Sequence, residues 1–223
     1  MLQKSTITFL KNLQKNNVKE WFDANRKAYE EARTDFTKLV GELIKLHGKK
    51  DEDIAALEVK DCLFRINRDV RFSKDKSPYK KNFAASLTRG GKKSMYAGYY
   101  LHIEPGNNSF IGGGLWSPEA ANLKKVRQEI DYSFDEFSNV IHDKSFAETY
   151  GDLHKDTEVL LSRPPKGYTD DNKAIEYLKL KSFIALKPLQ DDELTDKKLV
   201  QNMAEALAAL QPLLRFLNTA IEG

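Results

Sequence analysis

The chain has 223 residues, of which 40% are apolar and 31% charged, and its formal net charge is +3. This length suits one sizeable domain with a hydrophobic core, and the composition excludes a disordered or fibrous protein. No window approaches the ~18 apolar residues of a membrane span, the first residues lack a signal-peptide core, and the single cysteine, Cys62, excludes an intramolecular disulfide. We therefore expect a cytoplasmic protein without a membrane partner, in which Cys62 is a small buried apolar residue.

The first fifty residues predict helices. Ser5 can cap a short first helix, and Asn17 with Glu20 resembles a capping box that opens a longer second helix ending near Gly48. On the second helix large apolar residues recur roughly at helical spacing, namely Trp21, Phe22, Tyr29, Phe36, Leu39, Val40, Leu43 and Ile44. Such a stripe is more typical of a core than of a cofactor site, so we expect these aromatic side chains to pack against a sheet.

The middle of the chain predicts strands, because short runs of apolar and aromatic residues alternate with turn residues. The predicted strands cover residues 63–66, 82–88, 98–104 and 109–116, with one more at 182–187. Pro105-Gly106-Asn107-Asn108 is typical of a hairpin turn, and connections this short exclude parallel crossovers. The sheet should therefore be mainly antiparallel.

The second half of the chain predicts mostly helices. Ser117, followed by Pro118, is expected to cap a helix, and helices should continue to about residue 149. A short helix over 172–180 and a final helix over 195–221 are also expected, with a loop at 163–168. The sequence thus predicts the α+β class, as a single domain over residues 1–223 with helices packed on the sheet.

Residues 65–79 concentrate the polar chemistry of the chain, and they contain Arg65, Arg68, Asp69, Arg71, Lys76 and Tyr79. The segment 60–93 has eleven Lys or Arg and three Asp, a local charge of +8, which leaves −5 for the rest. A guanidinium offers a planar fork of donors suited to carboxylate or phosphate. Three interpretations stay open: a bracing arginine–aspartate network, an anion site that Asp69 orients, and catalysis in which Asp69 or Tyr79 exchanges protons.

The geometry of this cluster depends on its secondary structure. If the strand at 63–66 continues, Arg65, Asp69 and Arg71 share one face. If the segment is helical, Arg65, Arg68 and Asp69 share a face instead. Either arrangement brings at least two guanidinium groups beside Asp69.

Two further segments can contribute to a binding site. Gly112, Gly113 and Gly114 can form a backbone nest for an anion before a helix, although a β-bulge or the close passage of another segment explains them equally well. Arg163 and Lys166 lie in a proline-stiffened loop, which is either a solvated loop or the rim of the basic site.

Other chemistries find no support in the sequence. His47, His102, His142 and His154 have no ligand-like pairing, so we expect no metal site. Gly90-Gly91-Lys92 lacks the upstream glycine of a phosphate-binding loop and leads into a strand. The sequence names no cofactor, no reaction and no oligomeric state.

The pattern Arg65-x-x-Arg68-Asp69-x-Arg71-Phe72-x-x-Asp75-Lys76-x-x-Tyr79 resembles the signature of the domain-of-unknown-function 2461 family. These are bacterial proteins of about this length, with a related region inside longer fungal proteins. The similarity extends to residues 19–26, 98–100, 112–114 and 163–168, so it covers nearly the whole chain. The resemblance implies that these segments belong to one domain type, and it implies no activity.

The preferred hypothesis from the sequence is a basic pocket for a small, phosphate-bearing anion. Its donors would be Arg65, Arg68, Arg71 and Lys76, oriented by Asp69, with a rim of Tyr79, the glycine run, Arg163 and Lys166. One alternative is weak, non-specific binding of nucleic acid through residues 60–93. Another is a structural or partner-binding module whose arginines pair internally.

Overall fold

The computed structural model describes residues 1–156 and 160–223. Within these residues the chain forms ten α-helices and four β-strands. The helices are α1 Lys4–Lys15, α2 Lys19–Ala24, α3 Arg26–His47, α4 Glu52–Ala55, α5 Val59–Cys62, α6 Ala120–Tyr132, α7 Phe134–Ile141, α8 Lys144–Tyr150, α9 Ile175–Leu178 and α10 Leu199–Glu222. The strands are β1 Phe83–Leu87, β2 Gly98–Ile103, β3 Ser109–Leu115 and β4 Phe183–Leu189. The predicted α+β class is confirmed.

The four strands form one antiparallel sheet in the order β1-β2-β3-β4. The turn predicted at residues 105–108 joins β2 to β3, and the backbone enters the left-handed region there, with φ of 94° at Gly106 and 60° at Asn107. Glycine and asparagine tolerate this conformation better than other residues, which is why the turn was predictable. The strand predicted at 63–66 is wrong, because Leu63 forms only an isolated bridge with Ala85.

The contacts of the chain divide it into two compact units. Unit 1 comprises residues 1–92, 100–111 and 188–205, and unit 2 comprises 93–99, 112–187 and 206–223. Parts of the sheet belong to each unit. The single domain predicted over residues 1–223 stays a prediction.

Unit 1 has an aromatic core between α3 and β1. Phe36 on α3 stacks on Phe83 of β1 with ring centroids 5.4 Å apart, and Tyr29 lies 6.4 Å from the same ring. Phe22 is also buried, whereas Trp21 is half-buried and stacks on Phe9. The predicted packing of the helical aromatic residues against the sheet is therefore confirmed for Tyr29 and Phe36.

The helix starts predicted in unit 1 are wrong because tertiary partners replace local caps. Ser5 lies inside α1, and the Asp35 carboxylate accepts hydrogen bonds from the Gln3 backbone N–H and the Thr6 hydroxyl at the start of that helix. Asn17 does not cap α2; its side chain pairs with the backbone of Tyr79 instead. The long second helix is also divided, since α2 ends before Asn25 and α3 begins after it.

Unit 2 packs α6 to α9 around a second aromatic cluster, in which Phe137 lies 5.0 Å from Tyr177 and 5.4 Å from Phe216, measured between ring centroids. The cap predicted at Ser117 is wrong. Glu119, not Ser117, is the residue before α6. The Ser117 backbone N–H donates to the Ser182 hydroxyl.

Among the described helices, none has both the length and the apolar character that a membrane crossing requires.

Candidate functional site

The arginine-rich segment folds as a loop, which we call the arginine loop (residues 66–80). Its two arms pair through an isolated bridge between Asn67 and Tyr79 and through a hydrogen bond of 2.9 Å from the Arg68 backbone N–H to the Pro78 carbonyl. Residues 69–77, which lie between the arms, form its tip. Both geometries predicted for this segment are wrong, since it is neither a continuous strand nor a helix.

Arg68 braces the arginine loop from within. Its Nη1 donates to the Asp75 carboxylate at 2.6 Å and to the Ser77 carbonyl at 2.9 Å, while Nη2 donates to the Ser73 hydroxyl at 3.2 Å. The Arg68 side chain is only 24% exposed. One guanidinium thus joins three positions of the loop.

Asp75 is held in its charged form by the same network. The hydroxyl and backbone N–H of Ser77 donate to its carboxylate at 2.6 and 2.9 Å. These hydrogen bonds, followed by that of Arg68, lower the pKa of Asp75 from 3.8 to about 2. Asp75 is therefore ionised over the whole physiological range.

Asp69 and Arg71 form a bidentate pair on the surface. Arg71 Nη2 donates to Asp69 Oδ2 at 2.6 Å, and Arg71 Nε donates to Asp69 Oδ1 at 3.0 Å. The hydrogen bond from the Arg71 side chain is the main cause that lowers the pKa of Asp69, and the charge of Arg65 adds to it. Of the guanidinium groups expected beside Asp69, that of Arg71 pairs with it and that of Arg65 does not, and a solvent-exposed pair of this kind stabilises the fold little.

Lys76 and Tyr79 also serve the loop itself. Lys76 Nζ donates to the Val70 carbonyl at 3.0 Å. Tyr79 is 6% exposed, and its ring stacks on Phe22 with centroids 3.9 Å apart and planes inclined by 15°. Tyr79 therefore anchors one arm of the loop to the core of unit 1.

Two basic side chains at the base of the loop take no part in its internal hydrogen bonds and ion pairs. Within residues 1–156 and 160–223, neither Arg65 nor the side chain of Lys80 has a hydrogen-bond or ion-pair partner. Arg65 is exposed, and Lys80 is half-buried with Nζ 5.2 Å from the centroid of the Phe64 ring. Burial lowers the pKa of Lys80, and the positive charge of Arg65 lowers it further. The two residues thus form a like-charged pair without a carboxylate.

An aromatic face of the sheet lies next to this pair. The ring centroid of Tyr100 lies 6.0 Å from that of Phe64 and 5.9 Å from that of Phe110. His102 stacks on Phe110 with centroids 4.7 Å apart and planes inclined by 8°. Burial raises the pKa of Tyr100. This face was not predicted as a site from the sequence. A signal for it exists, because Tyr100 and His102 alternate with large apolar residues along β2, and such alternation places both side chains on one face of the strand.

The ring nitrogens of His102 are both engaged. The Asn82 amide lies 3.3 Å from Nδ1, and the Glu104 carboxylate lies 3.0 Å from Nε2. These two partners fix the orientation of the His102 ring on the aromatic face.

The glycine run lies in unit 2, within β3, and close strand packing explains it. A Cβ atom on Gly112 would lie 2.0 Å from the Ala185 carbonyl oxygen, and one on Gly114 would lie 2.0 Å from that of Phe183. A Cβ atom on Gly113 would lie 2.2 Å from the Gly98 carbonyl oxygen. The structure thus favours close approach of neighbouring strands over a nest before a helix, and anion binding by this run stays a prediction.

Arg163 and Lys166 also belong to unit 2, where both are exposed in the loop at 163–168. Their assignment to a binding site stays a prediction. The structure brings the other six predicted site residues together in unit 1, four of them inside the internal network of the arginine loop.

Metal binding has no obvious location in the described part of the chain, which holds no group of three or more His, Cys, Asp or Glu residues able to surround an ion. Cys62 is a buried free thiol, and burial raises its pKa. A thiol in that state is a poor nucleophile.

A family described as a conserved hypothetical protein (DUF2461) matches residues 5–216, which is nearly the whole chain. No curated protein and no solved structure matches significantly.

Proposed function

The chain belongs to the DUF2461 family, and we propose that its unit 1 binds a small anionic ligand that bears a phosphate group. The observation that carries this proposal is that two cations, Arg65 and Lys80, are neighbours. Neither has a carboxylate partner among the described residues. Their mutual repulsion is a cost that an anion placed between them would remove.

The two side chains differ in a way that suits a phosphate. Arg65 can present a planar fork to two phosphate oxygens, whereas Lys80 supplies a compact charge that rotates freely toward a third. Together they match the charge of a phosphate monoester. The adjoining rings of Phe64 and Tyr100 offer an apolar surface to the rest of such a ligand.

The donor set proposed from the structure is smaller than the one predicted from the sequence. Arg68 and Lys76 donate to groups of the loop itself, and Arg71 pairs with Asp69. These residues therefore shape the loop beside the site and need not touch the ligand.

Location in the cytoplasm forms part of the proposal. The only cysteine is a free thiol, so the fold needs no oxidising compartment. Fractionation of cells that express the full chain would test this location.

Calorimetric titration with inorganic phosphate, sugar phosphates and mononucleotides tests the binding site. Arg65→Ala and Lys80→Gln should each weaken binding about ten- to a hundredfold, because a hydrogen bond to a charged group contributes roughly 1.5–3 kcal/mol. Arg33→Ala and Lys38→Gln, two exposed positions on α3, are matched controls and should bind as the wild type does.

Two results would contradict the proposal. One is a wild-type protein that neither binds nor is thermally stabilised by any anion of this panel. The other is binding that Arg65→Ala and Lys80→Gln reduce no more than the two control variants do.

A further inference from the structure

Phe72 stands apart from the other phenylalanines because it lies at the tip of the arginine loop with 95% of its surface exposed. Phenylalanine is among the residues most often buried, since its ring removes a large apolar area from water when the chain folds. An almost fully exposed ring gives the folded protein none of this stabilisation. The position of Phe72 therefore calls for an explanation outside the stability of the fold.

The tip that carries Phe72 is ordered by polar contacts on both sides of it. Arg68 joins Ser73 and Asp75, which follow Phe72 in the chain, and Lys76 reaches back to the Val70 carbonyl, which precedes it. These contacts fix the backbone around Phe72 without covering its ring. The ring is thus presented in a preorganised position, which lowers the entropy cost of binding through it.

The surroundings of Phe72 are cationic. Both acidic residues of the tip are already paired, Asp69 with Arg71 and Asp75 with Arg68. The Arg71 guanidinium also lies 5.8 Å from the centroid of the Phe72 ring. Lys74 is exposed and has no partner among the residues that the structure describes. A partner at this tip would meet an aromatic ring flanked by positive charge.

We propose that the tip of the arginine loop binds single-stranded nucleic acid, with a base stacked on Phe72 and a neighbouring phosphate held by Lys74. Stacking on an aromatic ring needs one accessible base face, and a cationic flank suits the phosphate beside that base. This surface lies at the opposite end of the loop from Arg65 and Lys80 along the chain, and the inference does not depend on the small-anion site.

A nucleic-acid duplex, a membrane and a protein pocket each match the exposed ring and its cationic surroundings less well than a single strand does. In a duplex the base faces are stacked inside the helix and do not reach an external ring. Membrane attachment grows with buried apolar area, and one ring supplies little of it. An apolar pocket on a protein would accept Phe72 but would leave the cationic flank without a counterpart.

Fluorescence of a Phe72→Trp variant tests the proposal directly. Titration with oligothymidylate and oligouridylate of about 20 nucleotides should quench the new tryptophan, after subtraction of the wild-type signal from Trp21 and Trp116. Phe72→Ala should bind these oligonucleotides about five- to 150-fold more weakly, as expected for the loss of one base–aromatic stack. Binding should also weaken as salt rises, because phosphate contacts release counterions.

Two further variants separate stacking from other causes. Phe72→Leu keeps apolar area but lacks a π-face, so it should bind about as weakly as Phe72→Ala. Tyr132→Ala removes another aromatic ring, 90% exposed and located in unit 2, and should bind as the wild type does. Thermal melts of all four variants should match the wild type, since none of the replaced rings is buried.

Several outcomes would overturn the proposal. They are absence of quenching, equal affinity of wild type and Phe72→Ala, full retention of binding by Phe72→Leu, and tighter binding to a duplex of the same length. A blue shift of Phe72→Trp on phosphatidylglycerol vesicles without quenching by oligonucleotides would assign the tip to membranes instead.

Different results would refute the stacking proposal and the small-anion proposal. Quenching of Phe72→Trp together with no binding of phosphate or mononucleotides would refute only the small-anion site. Loss of mononucleotide binding in Arg65→Ala, without any effect of Phe72→Ala on oligonucleotides, would refute only the stacking proposal.

Discussion

Replacement of Phe36 by alanine should destabilise the protein by about 3–5 kcal/mol, the usual cost of truncating a buried phenylalanine. Phe36 is only 2% exposed, and its ring stacks on Phe83 at 5.4 Å with planes inclined by 20°. The truncation therefore removes apolar contacts at the centre of the α3–β1 packing and leaves a cavity there. Because 1 kcal/mol shifts the melting temperature of a chain of this size by about 2–4 °C, the expected decrease is about 6–20 °C.

Phe72→Ala is the matched control, since it removes the same side chain from a position that is 95% exposed. It should change the free energy of unfolding by less than about 0.5 kcal/mol. Urea unfolding should be followed by circular dichroism and by tryptophan fluorescence, because Trp21 lies in unit 1 and Trp116 in unit 2. A loss of less than about 1 kcal/mol in Phe36→Ala, or an equal loss in both variants, would refute the assigned helix face.

Two further predictions concern the arginine loop. Arg68→Ala should speed hydrogen exchange of the backbone amides throughout residues 69–77, whereas Asp69→Ala should speed it only at Arg71, whose backbone N–H donates to the Asp69 carboxylate at 3.3 Å in a solvent-exposed pair; an equally broad increase in both variants would contradict the bracing role of Arg68. The pKa of Asp75 is lowered in the folded state, so its contribution to stability is present above pH 4 or so and is lost as the pH falls toward about 2. A carboxyl NMR titration should give a midpoint near 2 in the wild type and a higher one in Ser77→Ala; a wild-type midpoint at the ordinary 3.8 would contradict the network.

The strands of the sheet were predictable because their boundaries depend on local chemistry. Residues 105–108 combine a proline, a glycine and two asparagines, which favour the turn seen between β2 and β3. Helix starts were less predictable, because the free N–H groups at a helix start can donate to acceptors from anywhere in the fold. At the start of α1 the acceptor is the carboxylate of Asp35, 32 residues from Gln3. No pattern in the sequence near Ser5 predicts this hydrogen bond.

The arginine loop escaped prediction for a related reason. Side chains share a face at a fixed spacing only in a regular helix or strand, and the spacing of Arg65, Arg68 and Arg71 is compatible with both. The acceptors that bind Arg68 lie five, seven and nine residues further along, on Ser73, Asp75 and Ser77. That spacing follows from the closed loop and matches no regular element.

The charge count of the sequence located the basic region of unit 1. It did not distinguish the basic side chains that form ion pairs within the loop from those that do not. Aspartates are interspersed with arginines where the charges are densest, and there Arg68 and Arg71 pair with the acids beside them. Arg65 and Lys80 flank that stretch, and neither forms an ion pair with a carboxylate in the described part of the chain, so their donors are available. In a short loop, a high density of mixed charge therefore indicates internal bracing, and cations at its base are the better candidates for binding an external anion.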